Sequence, residues 1–65
     1  MIMIPCIYPY AYVNIARIEH IYEKGDRYYF LDNYGRWRIT YETYCYLEKR
    51  GIPKYERKSP TTEPI

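Results

Sequence analysis

At 65 residues the chain makes one domain, and folding hides only about 60% of the surface an unfolded chain of this size exposes, so no cleft walled on several sides is expected. Ten Lys and Arg against eight Asp and Glu leave a formal charge of +2, too little to imply a nucleic-acid partner by itself. The distribution says more: five cations face five acids through residue 47, and five face three from residue 48 onward.

Small domains compensate for a thin core with a staple, a metal, a partner or an unusually aromatic interior. Here eleven Tyr accompany Trp37 and Phe30. A buried Tyr must find a hydrogen-bond partner for its hydroxyl, so a core this small cannot take all eleven and several must lie at the surface. Surface Tyr offers rigid, amphipathic contact area, as in interface hot spots; the plainer alternative is that Tyr replaces Leu and Phe in a thin sheet domain.

Ile2 to Tyr12 mixes strand formers with Pro5 and Pro9, which predicts at most an edge strand or an extended arm. Asn14 to Arg17 reads as a short turn. Ile18-Glu19-His20-Ile21-Tyr22 is a β-rich run ended by the polar turn Glu23-Lys24-Gly25-Asp26. Arg27-Tyr28-Tyr29-Phe30-Leu31 is the strongest strand. Asp32-Asn33-Tyr34-Gly35 is a hairpin connection with Gly35 suited to a left-handed position, and Arg36-Trp37-Arg38-Ile39 returns. A three-residue loop would pair Asp32 with Arg36, Leu31 with Trp37 and Tyr29 with Ile39. That register gives an apolar face of Tyr29, Leu31, Trp37 and Ile39 and leaves Tyr28, Phe30, Arg36 and Arg38 on the other. The alternative register sets Leu31 against Arg36, which argues against it.

Thr40 is placed to cap a helix over Tyr41 to Arg50, with Gly51 just past its end and Pro53 preventing resumption. Tyr41, Tyr44 and Leu47 share the side that covers the sheet, and Tyr46 points to solvent. The expected architecture is α+β: a three- or four-stranded antiparallel sheet with one helix on a single face. The domain spans residues 1–52, and residues 53–65 form a flexible, basic, Pro-containing tail.

His20 is the only histidine, in a strand, with no pocket to argue around it. Cys6, His20 and Cys45 are scattered singles rather than a metal-ligand pattern, and Gly25, Gly35 and Gly51 are isolated rather than a phosphate loop. No catalytic, metal or cofactor site is expected. The apolar start lacks the marks of a secretory leader and no membrane span appears, so the expected location is the cytoplasm, with Cys6 and Cys45 reduced; a Cys6–Cys45 disulfide is the alternative. Two constellations remain as candidate sites. One is the outer sheet face with Tyr28, Phe30, Arg36 and Arg38; the other is the basic stretch with Lys54, Arg57 and Lys58, suited to phosphate contact.

Val13 to Lys49, with Ile18 and Ile21 before a turn, Tyr28-Tyr29-Phe30-Leu31, a second turn, Trp37-Arg38-Ile39 and a helix at Leu47-Glu48-Lys49, resembles the strand–hairpin–helix core of LytTR-type DNA-binding domains. In type, a short Tyr-rich chain beginning Met1-Ile2-Met3-Ile4 and lacking catalytic motifs resembles small phage-encoded inhibitors such as anti-CRISPR proteins. That resemblance implies occlusion of a nucleic-acid channel or assembly surface on a host protein or ribonucleoprotein, in the host cytoplasm, through the Tyr- and Arg-bearing face and Tyr46. The leading expectation is therefore a stoichiometric, non-enzymatic inhibitor, monomeric or weakly dimeric. The competing one is a nucleic-acid-binding module using the aromatic and Arg face and the basic tail.

Overall fold

The N-terminal segment folds back on itself. In the computed structural model, which describes residues 1–55, β1 (Met3–Ile7) pairs antiparallel with β2 (Tyr10–Asn14) through a turn at a cis Tyr8-Pro9 peptide. The expected arm is thus a hairpin, and Pro5 is tolerated because β1 has a ladder partner along one side only. Asn14 then caps a single 3-10 turn (Ile15–Arg17), its side chain accepting from the Ala16 amide.

Three further strands make a second antiparallel sheet, β3 (His20–Lys24), β4 (Arg27–Asp32) and β5 (Gly35–Ile39), in that spatial order. Gly25, with φ of +64°, supplies the positive φ that the tight β3–β4 turn needs at its first position. Helix α1 (Tyr41–Lys49) follows, its first turn capped by the Thr40 hydroxyl, which accepts from the Thr43 amide. The fold is α+β: two antiparallel sheets, of two and three strands, and one helix.

The β4–β5 register differs from the expected one. Asp32 pairs with Gly35, Leu31 with Arg36, Phe30 with Trp37 and Tyr28 with Ile39 across a two-residue loop. Trp37 and Ile39 face the core as anticipated, but on β4 the faces are exchanged: Tyr28, Phe30 and Asp32 point inward and Tyr29 and Leu31 outward. The cause lies in Asp32. Its Oδ1 accepts from the Tyr34 and Gly35 amides at 2.8 and 3.1 Å, and its Oδ2 lies 3.5 Å from the Arg17 guanidinium. The carboxylate thereby serves the turn from the inner side, and Phe30 comes to rest against Trp37 with ring centroids 6.1 Å apart.

Ile4, Cys6 and Val13 from the hairpin meet Ile18, Ile21, Phe30, Ile39, Tyr44 and Leu47 in one core. Tyr28 bridges sheet and helix, its ring centroid 4.9 Å from that of Tyr44 and 5.0 Å from that of Tyr41. Beyond the helix, Ile21 donates to the Pro53 carbonyl and accepts from the Tyr55 amide, so Pro53 to Tyr55 extend the sheet along the outer edge of β3. The opposite edge meets the Tyr8 carbonyl, which accepts from the Arg38 amide at 2.9 Å. The tail expected from residue 53 therefore begins, at its first three residues, as part of the fold; its remainder lies outside the described residues.

Phe30 is fully buried whereas Leu31 is only half-buried. Phe30→Ala is accordingly expected to cost about 3–5 kcal/mol in urea unfolding, and Leu31→Ala less than half as much; the reverse ranking would restore the register expected from sequence. A second consequence concerns alkaline pH. Both cysteines are free, and the Cys6 thiol is pushed up from 9.0 to about 11, first by burial and then by the charge of Asp32. A folded value above the unfolded one means that the protonated thiol contributes fully below pH 9.0, and that this contribution disappears as pH rises toward the folded value. The fall in urea midpoint between those two values should be shallower in Cys6→Ala, and iodoacetamide should modify Cys45 before Cys6 in the native protein.

Candidate functional site

The strand alternation distributes eight side chains over the outward face of the three-stranded sheet: His20, Tyr22 and Lys24 from β3, Arg27, Tyr29 and Leu31 from β4, and Arg36 and Arg38 from β5. Four are cationic and none is acidic. The face is therefore far more basic than the chain's net charge of +2, because the carboxylates of Glu23 and Asp32 belong to the other parity.

These residues form ordered rows. Tyr22 lies opposite Tyr29, which lies opposite Arg38; His20 lies opposite Leu31, which lies opposite Arg36. The Tyr22 and Tyr29 ring centroids are 5.8 Å apart, and Tyr55, brought up by the chain after the helix, stands edge-on to both Tyr22 and His20 at 5.8 Å. The Arg36 guanidinium sits over the Tyr29 ring at 5.1 Å. Such a contact is worth about 0.5–1 kcal/mol at an exposed site. It holds the guanidinium against the sheet, and among the described residues no carboxylate pairs with it.

Two shallow depressions flank this cluster and share Arg36. One, of about 540 Å³, is lined by Tyr22, Leu31, Asp32, Gly35, Arg36 and Tyr55. The other, of about 440 Å³, is lined by Tyr8, Pro9, Arg27, Tyr29, Arg36 and Arg38. Together they trace a path across the strands, aromatic at the β3 side and cationic at the β5 side, with no enclosed chamber.

The residues singled out from sequence do not all meet here. Arg36 and Arg38 do. Phe30 is fully buried in the core and Tyr28 is half-buried beneath the helix, because β4 presents the opposite parity. Tyr46 is 40% exposed, but it sits on the helix beside β1, with Glu42 and Met3 among its neighbours, away from the basic face. Lys54 pairs with Glu48 at 3.4 Å, and that carboxylate holds its ammonium above the ordinary lysine value; Arg57 and Lys58 lie outside the described residues. Sequence reading missed Tyr22, Tyr29, Tyr55, Arg27 and Lys24. The last two carried a usable signal, since each lies two positions along its strand from an outward Tyr.

Among the described residues no carboxylate is hydrogen-bonded to His20, and no three His, Cys, Asp or Glu side chains converge to hold a metal ion. No helix of the described residues is long and apolar enough to cross a membrane. Compared with protein-family models, with curated proteins and with solved structures, the chain finds no match.

Removing residues 53–65 would take away both the Ile21 backbone partners and the Tyr55 ring. Hydrogen exchange at the Ile21 amide is expected to accelerate at least tenfold in that truncation, an opening cost of about 1.4 kcal/mol or more; unchanged protection would mean that Pro53 to Tyr55 do not hold the sheet edge.

Proposed function

We propose that the chain is a small, non-enzymatic single-stranded nucleic-acid-binding module, with the outward sheet face as its binding surface. The observation that carries this reading is the coincidence of four cations and no acid with a row of aromatic rings on one open face. A base stacks on a tyrosine face irrespective of its identity, and each such stack contributes about 1–3 kcal/mol. Phosphates alternate with bases along a strand, so the ligand that fits is a chain whose bases meet Tyr22, Tyr29 and Tyr55 while its phosphates meet Arg27, Arg36 and Arg38. The openness of the two depressions suits a polymer passing through better than a small molecule held on all sides.

A duplex fits less well. Its bases are already stacked, so the tyrosines would find no partner, and a flat sheet face does not enter a groove as a helix does. The face also differs from the one that the inhibitor reading assumed, since Tyr28 and Phe30 belong to the core. An inhibitor that blocks a host nucleic-acid-handling complex remains the second reading, favoured by the exposed aromatics Tyr10 and Tyr12 on the β1–β2 hairpin, away from the basic face.

Fluorescence anisotropy with a labelled, mixed-sequence single strand of about twelve nucleotides tests the proposal. Binding should weaken with salt with a log–log slope no steeper than about −3, the value for up to four neutralised phosphates, and Arg36→Ala with Arg38→Ala should make that slope shallower by about 1.4. Tyr29→Ala should weaken binding at every salt concentration and Tyr29→Phe should restore it. No binding at low salt, or binding indifferent to Arg36 and Arg38, would overturn the assignment. Retention of a defined protein from a nuclease-treated bacterial lysate would then make the inhibitor reading the working one.

A further inference from the structure

The second sheet presents a face of the opposite character. Pairing places Met3 opposite Asn14, Pro5 opposite Tyr12 and Ile7 opposite Tyr10, all on the side of the hairpin turned away from Ile4, Cys6 and Val13. Tyr10 and Tyr12 are 88% and 65% exposed, Met3 and Ile7 44% and 43%. No position on this face carries a charge, although more than a quarter of the chain is charged. The edge of β2 is equally unguarded: it has no charged residue, no proline and, among the described residues, no backbone partner besides β1. Edge strands in monomeric proteins are usually protected by such devices.

We infer that this hairpin face is a homotypic interface, occupied by the same face of a second copy of the chain. Charge selects the occupant. A nucleic acid finds no cation here, whereas an identical face opposes this one with no charge against charge. Size agrees. With a large aromatic or aliphatic side chain contributing on the order of 150–250 Å², the exposed parts of Met3, Pro5, Ile7, Tyr10 and Tyr12 amount to about 500–600 Å² per copy. Two such faces cover about 1,000–1,200 Å² in total, at the threshold for a specific interface, so the dimer is a weak one. The contact is isologous: each Tyr meets the hairpin of its partner across a two-fold axis, and the assembly closes at two. The inference is independent of what the basic face binds.

Sedimentation velocity of the full chain, at loading concentrations from about 1 to about 100 µM, tests it, since that range brackets micromolar self-association. The expected result is a concentration-dependent shift from monomer to dimer, abolished in the Tyr10→Lys, Tyr12→Lys variant and unaffected by Arg36→Ala with Arg38→Ala. Both Tyr side chains are exposed, so the urea midpoint and circular dichroism of the Lys variant should match the parent and exclude unfolding as the cause. A parent monomeric throughout the range, a dimer surviving the double Lys substitution, or open-ended growth beyond two copies would each overturn the inference. A monomeric parent that co-sediments with phosphatidylcholine vesicles would do the same and reassign the face to a lipid surface.

Discussion

The carboxylate of Asp32 closes the β4–β5 turn from inside, taking two amides on one oxygen and facing Arg17 with the other. Everything on the central strand follows from that. A strand alternates with a period of two, so putting residue 32 inward puts 30 and 28 inward and 31, 29 and 27 outward. The arrangement costs the burial of a charge, and its Oδ2 has an ion-pair contact to Arg17 but no hydrogen bond. Because the Arg17 guanidinium also lies 4.9 Å from the centroid of the Tyr34 ring, one side chain ties the 3-10 turn to the far hairpin. The Asp32 end of this pair is buried and the Arg17 end is half-exposed.

The core then leaves the chain with two outward faces of unlike chemistry. Phe30 anchors the middle of the packing, between Ile21 on β3 and Trp37 on β5. With the large apolar side chains of β4 divided between its two faces, the outer one keeps Tyr29 and Leu31 among four cations. The hairpin β1–β2 solves a different problem. It roofs the core with Ile4, Cys6 and Val13, which are all nearly fully buried, and leaves an outer side with exposed rings and no charge. Tyrosine suits both places, since its ring tolerates partial burial and its hydroxyl reaches water.

Both edges of the three-stranded sheet are closed by chain that is not part of its hairpins: Tyr8 on one side, Pro53 to Tyr55 on the other. These closures also shape the basic face. Tyr8 and Pro9 form one wall of the cationic depression, and Tyr55 supplies the third ring of the aromatic row. The face is therefore assembled from five parts of the sequence, the Tyr8-Pro9 turn, the three strands and the chain after the helix, none of which is a motif by itself.

From Ile18 onward, strand and helix locations were legible from local chemistry. Thr40 and Gly51 bound the helix, Gly25 and the Asp32–Gly35 stretch mark the turns, and on β5 the alternation Arg36, Trp37, Arg38, Ile39 admits one orientation only. The need for surface tyrosines followed from counting hydroxyls. On β4 the same logic failed, because Tyr28 with Phe30 and Tyr29 with Leu31 are almost equally apolar sets, and a period of two cannot choose between them. The choice rested on the flanking charges, Arg27 with one set and Asp32 with the other, and only the folded chain brings Arg17 and two turn amides to Asp32. Likewise, nothing local in Pro53-Lys54-Tyr55 announces a partner; Ile21, more than thirty residues earlier in the sequence, provides it. From Ile18 onward the sequence by itself determined the elements and their order, since propensity and capping act within a few residues, whereas the β1–β2 hairpin was legible only as an edge strand or arm. Tertiary structure alone decided which side of β4 meets solvent, since that depends on contacts between segments that only folding brings together.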